Sequence, residues 1–138
     1  MNHQSAIRAL LETRLAAWAA ARVPPLPVLW ENDRSDAEPT TEHLRAYLLP
    51  ATTTTAYLEG DGRTYQGLFQ VTAFLLPGTG PKNADVIVSQ MDALYPCFAV
   101  LTDGAVDVQI MAPAAALPAE QEPAWHVVVV RMRYRCDV

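Results

Sequence analysis

Lysine is almost missing from this sequence: of ten basic residues only Lys82 is one, and the other nine are arginine. Arginine dominance of this kind reflects a GC-rich genome before it reflects a function. Cysteine is as sparse. Cys97 and Cys136 stand far apart with no C-x-x-C pair, so the thiols are expected to be free. His3, His43 and His126 share no paired ligand spacing, and the chain has neither H-E-x-x-H nor G-x-S-x-G, which leaves a zinc hydrolase or a serine hydrolase without its parts. The stretch GTGPKN lacks the spacing and the Gly-Lys-Ser/Thr ending of a phosphate loop, and reads as a turn that starts a helix. Positive charge is short as a whole. Fifteen acids against ten bases give a net charge of −5, which argues against wrapping nucleic acid as the main activity. Wholly apolar runs are too short to span a bilayer, and MNHQSAIRALLETR carries charge where a signal peptide needs an apolar core. The protein is therefore expected in the cytoplasm of the cell that makes it.

What is present is a globular pattern. With 138 residues, 51% of them hydrophobic and 18% charged, the chain can bury one core without staples and is expected to form a single domain over 1–138. Ile7, Leu11, Leu15 and Trp18, with Leu10 alongside, recur at helical spacing among alanines, and Pro24 and Pro25 stop that helix. A short strand fits 28–31, and alternation of Leu44, Ala46 and Leu48 against Arg45 and Tyr47 predicts another over 43–49. Threonines 52–55 favour extended backbone, so the strands on either side are free to continue as a protruding hairpin.

The stretch RTYQGLFQVTAFLLPGTGPKNADVIVSQMDALYP changes period partway along. Over 63–76, Tyr65, Gly67, Phe69, Val71, Ala73 and Leu75 alternate with Thr64, Gln66, Leu68, Gln70, Thr72 and Phe74, the pattern of a long strand. After the Pro77–Gly80 turn, with Thr79 as N-cap and Pro81 in the first turn, Ala84, Ile87, Val88, Met91, Leu94 and Tyr95 form one helical face, ended by Pro96. Further strands fit 105–111 and 125–136, separated by the proline-rich connection PAAALPAEQEP. The order helix, strand, strand, strand, helix, strand, strand predicts an α+β two-layer domain. It has a mainly antiparallel, mixed sheet of about five strands and two helices on one face. Leu11, Leu15, Trp18, Phe69, Val71, Ile87, Met91 and Leu94 should be the core.

Candidate chemistry is thin. Cys97, between Pro96 and Phe98, reads as a buried small residue and not a nucleophile, and the pairs Asp33/Asp36 and Glu59/Asp61 lie in polar loops where solvated charge is the default. No catalytic, cofactor or metal residue is expected. The sharpest feature is a row of like charge, Arg131, Arg133 and Arg135, on one face of the last strand, with Met132, Tyr134 and Cys136 on the other. Three readings stay open for it: a solvated sheet face, a subunit contact with Asp33, Asp36 or Glu38 of a neighbour as counterions, or an arginine lining that faces DNA. The loop over 52–62 has little to bury besides Tyr57 and Leu58. It is expected to be mobile in an isolated subunit and to order on a partner through Tyr57, Leu58, Glu59 and Asp61.

Two stretches carry a resemblance. AIRALLETRLAAWAAARVPPLPVLWEN and YQGLFQVTAFLLPGTGPKNADVIVSQMDALYP resemble the tail terminator family, minor tail proteins of long-tailed, lambda-like bacteriophages, a resemblance that covers at least residues 6–95. The resemblance implies an α+β subunit that forms a hexameric ring on the finished tail tube, stops its polymerisation and offers a surface to the head. It implies no enzymatic activity, no cofactor and no membrane. The implied partners are further copies of itself, the tail tube protein and a head-completion or connector protein, with nucleic acid only passing through the ring. The implied location is the host cytoplasm during assembly and then the virion tail, and the source a phage or prophage. The alternative is a small α+β module that binds a ligand or protein in a pocket between helices and sheet.

Overall fold

The computed structural model describes residues 3–22, 25–31, 41–51, 53–55, 62–78, 82–104, 106–121 and 125–137. The chain opens with α1 (His3–Ala21), whose Ile7, Leu11, Leu15 and Ala19 are buried. The helix ends where the chain turns back on it: the carbonyl of Ala19 accepts the amides of Arg22 (3.4 Å) and Leu26 (3.1 Å), which satisfies one of the carbonyls that a helix end leaves open. Strand β1 (Val28–Leu29) lies parallel to β2 (His43–Pro50), and β3 (Thr54–Thr55) and β4 (Arg63–Leu75) complete the first half of the sheet. Then come α2 (Lys82–Leu94), β5 (Val100–Thr102), β6 (Asp107–Ile110), β7 (Ala115–Ala116), β8 (Glu120–Gln121) and β9 (His126–Asp137).

Spatially the main strands run β1-β2-β4-β9-β6-β5, and every pairing except β1 with β2 is antiparallel. β4 and β9 are the spine, paired without interruption from Thr64↔Asp137 to Leu75↔His126. The expected hairpin extension exists, since β3 pairs with the start of β4 through Thr54↔Thr64 and Thr55↔Arg63. The fold is the expected α+β, with more than five strands. β5 is three residues long, too short for alternation to reveal it. The stretch expected to be a plain connection supplies β7 and β8, because the outer edge of β9 carries backbone groups that need partners. Ala115↔Arg131, Glu120↔Val127 and the bond from the Leu117 amide to the Val129 carbonyl (2.9 Å) meet that need. Pro113 and Pro118, which have no amide to give, keep those strands to two residues each.

One core lies between the helices and the sheet. Leu44, Ala46, Leu48, Phe69, Val71, Ala73, Val130, Met132 and Tyr134 meet Ile7, Leu11 and Leu15 of α1 and Ile87 and Met91 of α2. Six of the eight expected core residues are fully buried there. Trp18 and Leu94 are only partly covered: Trp18 sits at the margin beneath the Arg22 guanidinium, 5.0 Å from its ring centre, and Leu94 closes the outer end of α2. The helices are tied to each other by polar bonds as well. Arg14 Nε donates to the carbonyl of Leu94 at 2.6 Å, and Arg22 bonds to Gln90. Thr79 and Pro81, expected to start α2, lie outside the described residues.

The β1 side of the sheet is closed by a side chain. Among the described residues β1 pairs only with Leu44 and Arg45, and no described strand lies beside the amides further along β2 on that side. The Glu31 carboxylate, just past β1, accepts the Leu48 amide and also holds Arg8 of α1 at 3.0 Å. Sheet edge and helix are fastened by one residue.

Candidate functional site

The face of the sheet turned away from the helices is the surface left for function. Strict alternation puts Val130, Met132, Tyr134 and Cys136 into the core, so Arg131, Arg133 and Arg135 emerge together on the opposite face, as the sequence predicts. Register sets their neighbours: Gln70 lies across from Arg131, Leu68 from Arg133 and Gln66 from Arg135, with Tyr47 and Leu49 of β2 one strand further out.

The three arginines are not equivalent. Arg131 is half-buried and its Nε donates to Gln70 Oε1 at 2.8 Å. Arg135 donates from Nε to both carboxylate oxygens of Asp137 at 3.2 Å, and the Thr64 hydroxyl donates to the same carboxylate at 2.6 Å. Those bonds, the one from Thr64 foremost, hold the Asp137 carboxyl below the usual carboxylate value. Arg133, between them, is exposed, and its guanidinium has no hydrogen-bond or ion-pair partner among the described residues. It lines a groove with Ala51, Gln66, Gly67, Leu68, Met111 and Arg135.

Gly67 is where β2 closes in on β4. A Cβ there would lie 2.5 Å from the carbonyl oxygen of Leu49, 2.9 Å from the Cα of Pro50 and 2.9 Å from the hydroxyl of Tyr134. Only glycine fits this crossing. Tyr134 pairs across from it, its ring filling the space the glycine leaves. Its hydroxyl is buried without a hydrogen-bond partner among the described residues, and burial raises its pKa.

The far end of the same face is apolar, which sequence reasoning missed. His43 is buried and stacks on Phe74 with centroids 4.7 Å apart, while Trp125 meets both rings edge-on, at 5.1 and 6.5 Å. His43 Nδ1–H donates to the carbonyl of Thr41 at 2.9 Å, which fixes its tautomer; it is a satisfied histidine and not a ligand. The signal was available: Val127–Val130 is an unbroken apolar run, the mark of a strand covered on both faces. The other missed feature is the β5 side of the sheet. There Phe98, 65% exposed at φ 63°, and Val100 stand in solvent beside a groove lined by Leu10, Trp18 and Leu94. Cys97, expected to be buried, is partly exposed, because it sits in the turn between α2 and β5.

Tyr57, Leu58, Glu59 and Asp61, and the acids Asp33, Asp36 and Glu38, lie outside the described residues. Among the described residues no group of three or more His, Cys, Asp or Glu could hold a metal ion, and no helix is long and apolar enough to cross a membrane.

The described residues form a two-layer α+β domain whose distinctive surfaces are an arginine-bearing sheet face and an exposed apolar edge. The family model described as phage tail terminator protein matches residues 6–134, so the chain belongs to the phage tail terminator family and has a structural role in the phage tail. Six solved chains match, one of them at 35% identity and a TM-score of 0.82, with 96% of this chain and 94% of that chain covered. No curated protein matches. Membership implies interaction with other tail and head proteins.

Proposed function

We propose that the chain is the subunit of a ring that caps the completed tail tube, stops tube polymerisation and forms the surface to which the head is joined. The observation that carries this reading is the family match over residues 6–134, nearly the whole chain. The charge on the open face favours a ring over a two-fold pair. A two-fold contact centred on this face would set Arg131, Arg133 and Arg135 against their own copies. A head-to-tail contact sets them against a different patch, and repetition of such contacts closes into a ring. Six copies is the count the family resemblance implies. The chain would then act without catalysis or cofactor and assemble in the host cytoplasm from a phage or prophage gene. In the virion tail it would stand between tube and connector, with DNA only passing through the bore. Tyr57, Leu58, Glu59 and Asp61 would touch the tube or a neighbouring copy.

The test is addition of the purified chain to polymerising tail tubes, viewed by negative-stain electron microscopy. Tubes of fixed length with a ring at one end are expected. Tubes that continue to lengthen, with no density at either end, would refute the reading.

A further inference from the structure

Among the described residues, Arg133 is the member of its row without a side-chain acceptor. Gln70 holds Arg131, and Asp137 holds Arg135, yet Arg133 stands between them in a groove with Ala51 at one side and Met111 at the other. Gly67 and Leu68 line it as well, and among the described residues no acceptor meets the guanidinium. A free guanidinium presents two parallel N–H donors in a planar fork, the geometry that suits a carboxylate.

The charge of the chain names the source of that carboxylate. Four of the ten basic residues, Arg45, Arg131, Arg133 and Arg135, lie on this one face with Asp137 beside them, while fifteen acids leave the whole at −5, so the rest of the chain carries the acidic excess. A second copy therefore offers the complementary charge, and a nucleic acid would have to approach against the net charge. We infer that the groove around Arg133 receives a carboxylate from a neighbouring copy of this chain, in a head-to-tail contact. Arg131 and Arg135 flank it and are held in place by their own partners. The inference rests on the ring reading above and adds the residue that anchors each contact. Because the pair lies at a partly open face, it fixes register and speeds association, and salt weakens it.

Sedimentation velocity on wild type, Arg133→Glu, Arg133→Lys and the control Lys82→Glu tests it. Each is measured over a range of protein concentration, with circular dichroism to verify folding. Wild type and the control should self-associate alike, less so as salt rises from about 0.05 to about 0.5 M. Arg133→Glu should need at least about tenfold more protein to associate, and Arg133→Lys should fall between, since it keeps the charge and loses the fork. Association of Arg133→Glu equal to wild type would overturn the inference, as would a wild type that stays monomeric throughout. Tight binding of a short DNA duplex, lost in Arg133→Glu, would overturn it in favour of a nucleic-acid groove. Tube capping measured in parallel separates the two levels. Normal capping by Arg133→Glu leaves the terminator reading standing without the anchor, whereas failure of wild type to cap defeats the reading itself.

Discussion

The hydroxyl of Tyr95 donates to the carbonyl oxygen of Leu11 at 2.7 Å, joining the residue after α2 to the middle of α1. Tyr95 is completely buried against Phe69, 5.8 Å between ring centres, and that burial drives its pKa far above the ordinary phenol value. The ring is the packing element and the hydroxyl a clasp. Tyr95→Phe should lower stability by about 1 kcal/mol, the usual net worth of one hydrogen bond. Tyr95→Ala should lower it by about 3–5 kcal/mol, through the cavity it opens. Urea denaturation checks both. A Phe variant as unstable as the Ala variant would show that the clasp, not the ring, holds the helices together.

Gly67→Ala puts a methyl group 2.5 Å from a backbone oxygen, and backbone on a paired strand does not move aside as a side-chain tip does. A loss of about 1–3 kcal/mol in thermal or urea melts is expected, with the β2–β4 pairing strained first. The Tyr134 hydroxyl, also in the way, is expected to shift. Wild-type stability in this variant would mean that β2 crosses β4 less tightly than the Leu49 carbonyl position indicates.

The long elements were legible in the sequence because their periods are long. Thirteen residues of β4 and twelve of β9 alternate clearly enough to give the buried face, and from it the arginine row. The helices followed from three or four turns of apolar spacing. What failed was short or cooperative. β5, β7 and β8 exist because neighbouring strands have backbone groups to satisfy, which no window of two or three residues can show. The difference among Arg131, Arg133 and Arg135 was invisible for a related reason. It depends on Gln70, 61 positions from Arg131, and on Thr64, 73 positions from Asp137. The aromatic corner of His43, Phe74 and Trp125 was missed because Phe74 falls on the mostly polar face of β4, and only the Val127–Val130 run marked that end as covered.

Glu31 provides an independent test of how the β1 side is closed. Its carboxylate accepts the amide of Leu48, a buried residue, and pairs with Arg8, which also reaches Glu12 at 3.5 Å. Glu31→Gln keeps an acceptor for the amide and should lose little, since a half-exposed ion pair contributes about 0–1 kcal/mol. Glu31→Ala leaves the amide unanswered and should lose about 1–3 kcal/mol. Hydrogen exchange of the Leu48 amide is the direct readout, with faster exchange expected in the Ala variant and near wild-type protection in Gln. Equal protection in all three would mean that the amide finds another partner.

Asp137 gives the acid end of the stability profile a predictable sign. Hydrogen bonds from Thr64 and Arg135 favour its ionised form in the folded chain, so its folded pKa lies below the unfolded value of about 3.9. A depressed carboxylate pKa contributes stability that is fully present above the unfolded value and is lost as pH falls through the folded one. The carboxylate is exposed, so the contribution is small and screened by salt. Its visible consequence is local. As pH falls through the depressed folded pKa, the neutral carboxyl releases Arg135 and the last pair of the β4–β9 ladder, Thr64↔Asp137, should fray. NMR titration should place the Asp137 carboxyl midpoint below that of an unstructured aspartate, with the Thr64 amide following the same curve. In Asp137→Asn the Thr64 transition should vanish. A midpoint in the ordinary range, or a Thr64 curve that persists in the variant, would show that Arg135 is not held there and is as free as Arg133.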